Sequence, residues 1–195
     1  MPAGKTLKIG VWENDKYIGA VIFSRGASYN LLNPFGLKQN EGCELTRVAL
    51  TKHITPVSKI VSVSIRLLKK KCPKLQMVIS FADPVQNHHG GIYQAGNWIY
   101  SGRSNSDWSI KKNNKVYHRR SIFSKYKTTS IDKLGGNFEK VKTPGKHRYL
   151  MPLNKNIRKK VIKLSKPYPK RMKLGDGSDQ ENSEGSTPIH ALQDS

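Results

Sequence analysis

Two cysteines in 195 residues, Cys43 and Cys72, with no paired spacing and no histidine cluster around them, suggest neither a disulfide framework nor a zinc finger. Both read as buried thiols. Long hydrophobic runs are missing as well: no stretch approaches the ~18 to 20 apolar residues of a membrane span, and the opening MPAGKTLKIGVW lacks the apolar core of a signal peptide. The expectation is a soluble protein of the cytoplasm with no membrane partner. Acidic residues are the third scarcity, 13 Asp and Glu against 35 Lys and Arg, for a formal net charge of +22. In the last 24 residues Lys173 stands against Asp176, Asp179, Glu181, Glu184 and Asp194, which leaves −4 there and +26 on the first 171. A body this basic repels itself unless a polyanion is present, and nucleic acid phosphate is the commonest such partner. The positive charge is concentrated after residue 100.

What is present is enough for one domain, since 36% hydrophobic content builds a modest core. LKIGVWENDKYIGAVIFSRG alternates around Asn14-Asp15-Lys16 and predicts a β-hairpin with strands near 7–13 and 16–24. YNLLNPFGLKQNEG reads as a loop, and CELTRVAL as a third strand at about 43–50. After Pro56, the spacing of Val57, Ile60, Val61, Ser64, Ile65 and Leu68 predicts a helix ended by Cys72-Pro73. LQMVISFA is a continuous apolar run, read as a buried strand parallel to the third because a helix separates them. A second helix is expected near 89–101, a second hairpin in DWSIKKNNKVYHRRSIFSKY turning at Asn113-Asn114, and a last strand in KHRYLMPL. A short basic helix follows in NKNIRKKVIKL, with Ile157, Val161 and Leu164 on one side. The fold class is therefore α/β (α+β), a mixed central sheet with helices packed on it. Residues 1–171 form one domain with a basic extension at 154–171, and the acidic tail 172–195 is expected to be disordered.

One stretch breaks the basic pattern. SFADPVQNHHGGIYQAGNWIYSG, residues 80–102, has no Lys or Arg before Arg103 at its edge, and it crowds two tyrosines, a tryptophan, two adjacent histidines and four glycines around Asp83. On the expected second helix Tyr93, Asn97 and Tyr100 share one face, able to line a pocket. Arg47, on the third strand, and Asp83, after the fourth, are expected near the same sheet edge. Each residue also has a plainer role: Asp83 before Pro84 as a turn or capping carboxylate, the tyrosines as half-buried packing groups, and Trp98 as core or rim. His88 and His89 are adjacent and badly placed to chelate one metal, so a surface or phosphate-contacting role fits them better.

CELTRVAL, ISFADPVQNHHGGIYQAGNWIYSG, HRYLMP and the terminal KPYPK resemble the Mom DNA-modification proteins of phage Mu and related phages, over most of residues 8–170. The resemblance implies a GNAT-like acyl-CoA N-acyltransferase fold. It also implies modification of the exocyclic amine of adenine in DNA to a carbamoylmethyl form, which protects DNA from restriction. In such folds two parallel strands splay to admit the pantetheine arm, here CELTRVAL and LQMVISFA. The helix after the first of them offers its N-terminus to the pyrophosphate. In place of a glycine-rich loop this chain has TKHITPVSKIVS, which makes Lys52, His53, Ser58 and Lys59 the expected holders of acetyl-CoA. Iron enters with the resemblance as a candidate metal, and the sequence shows no ligand set for it.

The leading expectation is a DNA-modifying transferase. Asp83 and Tyr93 act in proton transfer or orientation, Arg47 binds an anionic or carbonyl group, and Tyr100 and Asn97 shape the pocket. His88, His89, Arg103, Lys111, Lys112, Arg119, Arg120, Arg158 and Lys159 hold the DNA. Trp98 or Trp108 stacks on a target adenine that is flipped out or single-stranded. The alternatives are a non-catalytic basic DNA-binding protein and a GNAT acting on a protein or small amine. Whether the chain pairs as a homodimer is left open.

Overall fold

The computed structural model describes residues 5–26 and 28–170. The expected tail at 172–195 lies outside them. Strands β1 (Thr6–Glu13) and β2 (Lys16–Ser24) form the predicted hairpin. Its two-residue turn, Asn14-Asp15, has both φ values positive, at 49° and 60°, the conformation for which Asn and Asp are chosen. β3 (Gly42–Leu50) pairs antiparallel with β2, and helix α1 (Val57–Lys71) carries the chain across to β4 (Met77–Ala82), which runs parallel to β3. Apolar residues at helical spacing make α1: Ile60, Val61, Ile65 and Leu68 are buried, and Lys69, Lys70 and Lys71 sit in the last turn where the helix dipole favours cations. Cys43 is buried as expected, whereas Cys72, at the C-cap of α1, is only half-buried.

The second helix is shorter than its sequence suggests. Helix α2 spans only Gly91–Ala95, and Ile99–Arg103 is a strand, β5. Gly96 closes the helix and Asn97 takes the left-handed conformation (φ 56°), so the chain turns out of the helix before Trp98. Beyond β5 come β6 (Asp107–Lys112) and β7 (Lys115–Tyr117), the predicted hairpin turning at Asn113-Asn114. The hairpin then stops: where the sequence predicts its second strand to continue, His118 caps a helix, α3 (Arg119–Tyr126). A short helix α4 (Ile131–Leu134) and strand β8 (Phe138–Thr143) follow. β9 (His147–Pro152) is the expected last strand, and α5 (Lys155–Val161) the basic helix. Leu164 falls past the end of α5 in a 3-10 turn and is exposed, so only Ile157 and Val161 face inward.

The strands form a six-stranded sheet in the order β1-β2-β3-β4-β9-β5 and a separate three-stranded sheet, β7-β6-β8. β9 therefore lies between β4 and β5, antiparallel to both. Alternation along these strands sorts the core into two layers. On the α1 side lie Leu45, Val78, Ala82, Tyr100 and Tyr149 with α1 and α2. On the other side Met77, Ile79, Ile99 and Leu150 pack against the loop residues Leu32, Phe35 and Leu37 and against α5. The result is a mixed α+β architecture, the class expected. The small sheet is an insert between β5 and β9 with its own core of Ile110, Ile122 and Phe138. Its two ends meet at a neck, where Ser104 N–H donates to the Lys146 carbonyl (2.8 Å) and Lys146 N–H donates to Ser104 Oγ (3.0 Å).

Candidate active site

β3 and β4 pair over only three residues each, Gly42–Glu44 with Met77–Ile79, and then part. Beyond that point β4 stays with β9 while β3 stays with β2. Where the ladder stops, the Leu45 carbonyl accepts from Ser80 Oγ at 2.9 Å, and Tyr93 Oη lies 2.7 Å from the same Ser80 oxygen. Ser80 has one proton and the carbonyl can only accept, so the tyrosine proton points at Ser80. Tyr93 is thus the hydroxyl that α2 lowers onto the opening between two parallel strands. Burial, the largest effect, pushes its pKa up.

Tyr93 belongs to a file of aromatic groups on the α1 side of the sheet. Its ring centroid lies 5.1 Å from that of Trp98 and 5.0 Å from that of Tyr149; Tyr149 lies 5.2 Å from Tyr100, and Tyr100 lies 5.6 Å from His147. The three tyrosines each carry a hydrogen-bonded hydroxyl. Tyr149 Oη donates to the His89 carbonyl and Gln94 Nε2 donates to Tyr149 Oη. Burial first, with neighbouring tyrosines adding to it, pushes the Tyr149 phenol up to about 12. Gly90 makes this packing possible: its φ is 82°, and a Cβ there would stand 2.3 Å from the Tyr149 ring. Tyr100 Oη lies 2.9 Å from His147 Nδ1, and both side chains are buried. Burial, then Arg103 and His89, lowers the His147 pKa, which keeps the imidazole neutral at physiological pH. Burial also raises the Tyr100 pKa, against a smaller opposing effect of Arg103.

The expected catalytic residues are therefore brought together only in part. Tyr93 and Tyr100 meet through Tyr149, not through a shared helix face. Asn97 is exposed in the turn after α2 and lines a cleft instead. Asp83 sits at the carboxyl end of β4, where its side chain caps the turn at Val85 N–H (3.0 Å) and forms an ion pair with Lys146 (3.0 Å). Arg47 faces away. A bulge shifts the register between Ile22 and Phe23, so Val48 and Leu50 point into the α1-side core while Arg47 is exposed on the opposite face. Trp98 is 1% exposed and cannot stack on a base; Trp108 has Arg119 and Lys140 each 4.6 Å from its ring. His147, Tyr149 and Ser80 complete the group, and the sequence does not single them out. The alternation of His147 and Tyr149 in HRYLMP is a readable signal, but its meaning depends on β9 lying between β4 and β5.

The cleft, about 400 Å³, runs between α1 and the turn after α2, lined by Ser58, Lys59, Ser62, Arg66, Asn97 and Trp98 among others. α1 begins without a side-chain cap and without an acidic residue in its first turn, and Lys59 and Arg66 add positive charge along the cleft. Ser58 and Lys59 thus line the cleft at the start of α1. Lys52 and His53 do not join them at the wall: His53 Nδ1 is 2.7 Å from the Thr51 carbonyl, and the loop amides of Ile54 and Thr55 are both bonded to Glu13 (2.8 Å each). Among the described residues no three His, Cys, Asp or Glu side chains converge on one point, so the donor set does not fit iron.

The expected DNA-binding residues divide likewise. His88, Arg103, Arg120, Arg158 and Lys159 are exposed and His89 is half-buried. Lys111 pairs with Glu139 (3.6 Å), Lys112 lies 4.7 Å from the Phe138 ring, and Arg119 grips Asp107 (2.7 Å), so these three hold the insert together. Among the described residues no helix is long and apolar enough to cross a membrane. A search of curated proteins finds no match. A family model described as Mom protein family matches residues 1–170, and with most of the 195 residues covered the chain belongs to the Mom protein family.

Proposed function

We propose that this Mom-family chain is a DNA-modifying transferase of phage type that acts on the exocyclic amine of adenine, with its proton chemistry at Tyr100 and His147. Family membership suggests phage DNA modification in general. The observation that carries the finer reading is the parting of β3 and β4 beside Tyr93 and Ser80, from which the aromatic file runs through Tyr149 to a buried hydroxyl–imidazole pair, Tyr100 and His147. An amine that forms a bond to carbon must lose a proton. The nitrogen lone pair makes the new bond, and the leaving group departs with its own electron pair. Tyr100 takes the amine proton as it passes its own to Nδ1 of neutral His147. Tyr93 and Ser80 offer hydroxyls at the mouth of the opening, and Asp83 holds Lys146 and the loop after β4 in place.

The α1 cleft would take a donor of the acyl-CoA class, held by Ser58, Lys59, Ser62 and Arg66; bound there, such a thioester supplies an activated carbonyl carbon. In a carbamoylmethyl product the adenine nitrogen is joined to a methylene carbon instead, so the mass added to adenosine together with the fragmentation of the added group identifies the atom attacked. The base must be unpaired to reach groups this deeply set.

Mass spectrometry of nucleosides from bacterial DNA tests the reading, after expression of the chain beside its His147→Asn and Tyr93→Phe variants. A heavier adenosine from the unaltered chain that falls to trace level in His147→Asn, with DNA affinity retained, supports it. Unmodified adenosine from folded, DNA-binding protein would leave a non-catalytic DNA-binding role.

A further inference from the structure

Among the described residues the face of the N-terminal hairpin that points away from α1 is open, and its composition is unusual for a solvated sheet. Leu7, Ile9, Val11, Val21, Val48 and Leu50 turn to the α1-side core. Their alternates face solvent in three cross-strand rows. Lys8 pairs with Ile22 and Ile22 with Arg47; Gly10 pairs with Ala20 and Ala20 with Ala49; Trp12 pairs with Tyr17. The middle row is a floor of small residues. At one end stand the two aromatics, 62% and 55% exposed, with ring centroids 5.1 Å apart in an edge contact. At the other end, about 13 Å away along the strand, stand Lys8 and Arg47.

Trp12 is positioned, not loose. Its ring lies over the backbone of Gly10, where an added Cβ would come within 2.4 Å of two ring atoms. Ile54, 86% exposed, is fixed beside the hairpin because its amide donates to Glu13. Glu13 accepts with both carboxylate oxygens from Ile54 and Thr55, Asp15 sits in the turn, and Glu44 lies in the row beyond Ile22, so the acids of this face stand at its two ends among Lys8, Lys16 and Arg47.

We propose that this face binds unpaired DNA, with bases stacked on Trp12 and Tyr17 and phosphates held by Lys8 and Arg47. Every base has a π-face, so an exposed aromatic pair next to cations is a sequence-tolerant seat for single-stranded nucleic acid. A second copy of the chain fits worse, because two chains of net charge +22 repel, whereas a polyanion supplies the counter-charge. The proposal rests on the DNA-modification reading, in which a target adenine leaves the stack and unpaired nucleotides result. It also gives Arg47 a task on the face where the structure puts it.

Tryptophan emission tests this with the full chain. Trp98 is buried and Trp108 is flanked by two cations, so Trp12 is the indole open to a base. Titration with an oligothymidylate, and separately with a duplex of the same length, should quench emission in the unaltered chain with the single strand. Trp12→Leu should abolish that quenching and weaken single-strand affinity about 10-fold or more while duplex affinity holds. Equal single-strand affinity in Trp12→Leu overturns the proposal. If Trp12→Leu also loses duplex binding, Tyr17→Leu is judged on the same criterion. Binding of both DNAs with Trp12 emission unmoved defeats the stacking face alone, whereas binding of neither defeats the DNA reading with it.

Discussion

Residues 80–103 with 147–149 and the insert 104–146 adjoin in the chain and differ in how they use polar groups. The first region holds one acid, Asp83, and two cations, Arg103 at its edge and Arg148, which is half-buried with its Nε donating to Ser101 Oγ (2.8 Å). Its aromatic file buries the hydroxyls of Tyr93, Tyr149 and Tyr100 and the imidazole of His147, each with a hydrogen-bond partner. The insert has 11 Lys and Arg against Asp107, Asp132 and Glu139, and its core is three buried residues. Cations serve there as packing material, over Phe138, Tyr126 and Trp108. A rigid, low-charge interior can hold a proton donor and acceptor to within tenths of an ångström; a small basic sheet can meet a phosphate backbone but cannot fix a reacting atom as well. The two are tied at the neck by Lys146, whose ammonium reaches Asp83.

The largest expected effect separates chemistry from grip. His147→Asn should lower the rate of modification by about 10² to 10⁴-fold, the usual range for a missing general base, with DNA affinity unchanged. Measured in single-turnover assays, an equal loss of affinity would erase the distinction between the regions. Core truncation ranks next. Trp98→Ala should cost about 3–5 kcal/mol in global denaturant unfolding, because a filled site 1% exposed becomes a cavity. Ile122→Ala, in the insert, should cost about 2–4 kcal/mol read locally, by amide exchange in β6 and β8, with less change in the global midpoint. Neutralising Lys115, Arg120 and Lys142 to Gln should leave folding intact and flatten the salt dependence of DNA binding, by about 0.9 in log–log slope for each phosphate that is no longer neutralised. A slope that does not move would take the insert out of the DNA interface.

Much of the main sheet is legible in the sequence. The hairpin, β3, α1 and β4 follow from alternation and helical spacing, since each buries one face against one core. Legibility ends where short elements decide. The helix expected over 89–101 is five residues, a left-handed Asn97 and a strand, because Gly96 ends it and Ile99 and Tyr100 gain a sheet partner in β9. That partner comes from 45 or more residues downstream, which no local window contains. For Arg47, one residue of bulge is enough to flip the side chain to the other face. Tyr93 and Asp83 can be read from the sequence as members of a polar cluster at the end of β4, whereas Ser80 and His147 need the topology.

The smallest effect tests whether acid reaches the two regions in the same way. His118 caps α3, its Nδ1 accepting from Arg120 N–H at 3.1 Å, and its pKa is lowered by burial first, then by Arg120, Lys146 and Arg119 against the weaker pull of Asp107. His147 is lowered by burial, Arg103 and His89. In both cases the unfolded chain binds a proton at the ordinary imidazole value of about 6.5 while the folded chain refuses it, so stability rises with pH. The contribution is fully present above that value and is lost as pH falls through the lower folded value. Protonated His118 has no lone pair left to cap with, and losing a cap costs about 1 kcal/mol. Asn caps as well as His and does not titrate, so His118→Asn should make amide protection in α3 independent of pH between neutrality and mild acid. The acid sensitivity of the main sheet, governed by His147, should persist in that variant; a uniform loss of pH dependence would show that the insert and the sheet unfold as one unit.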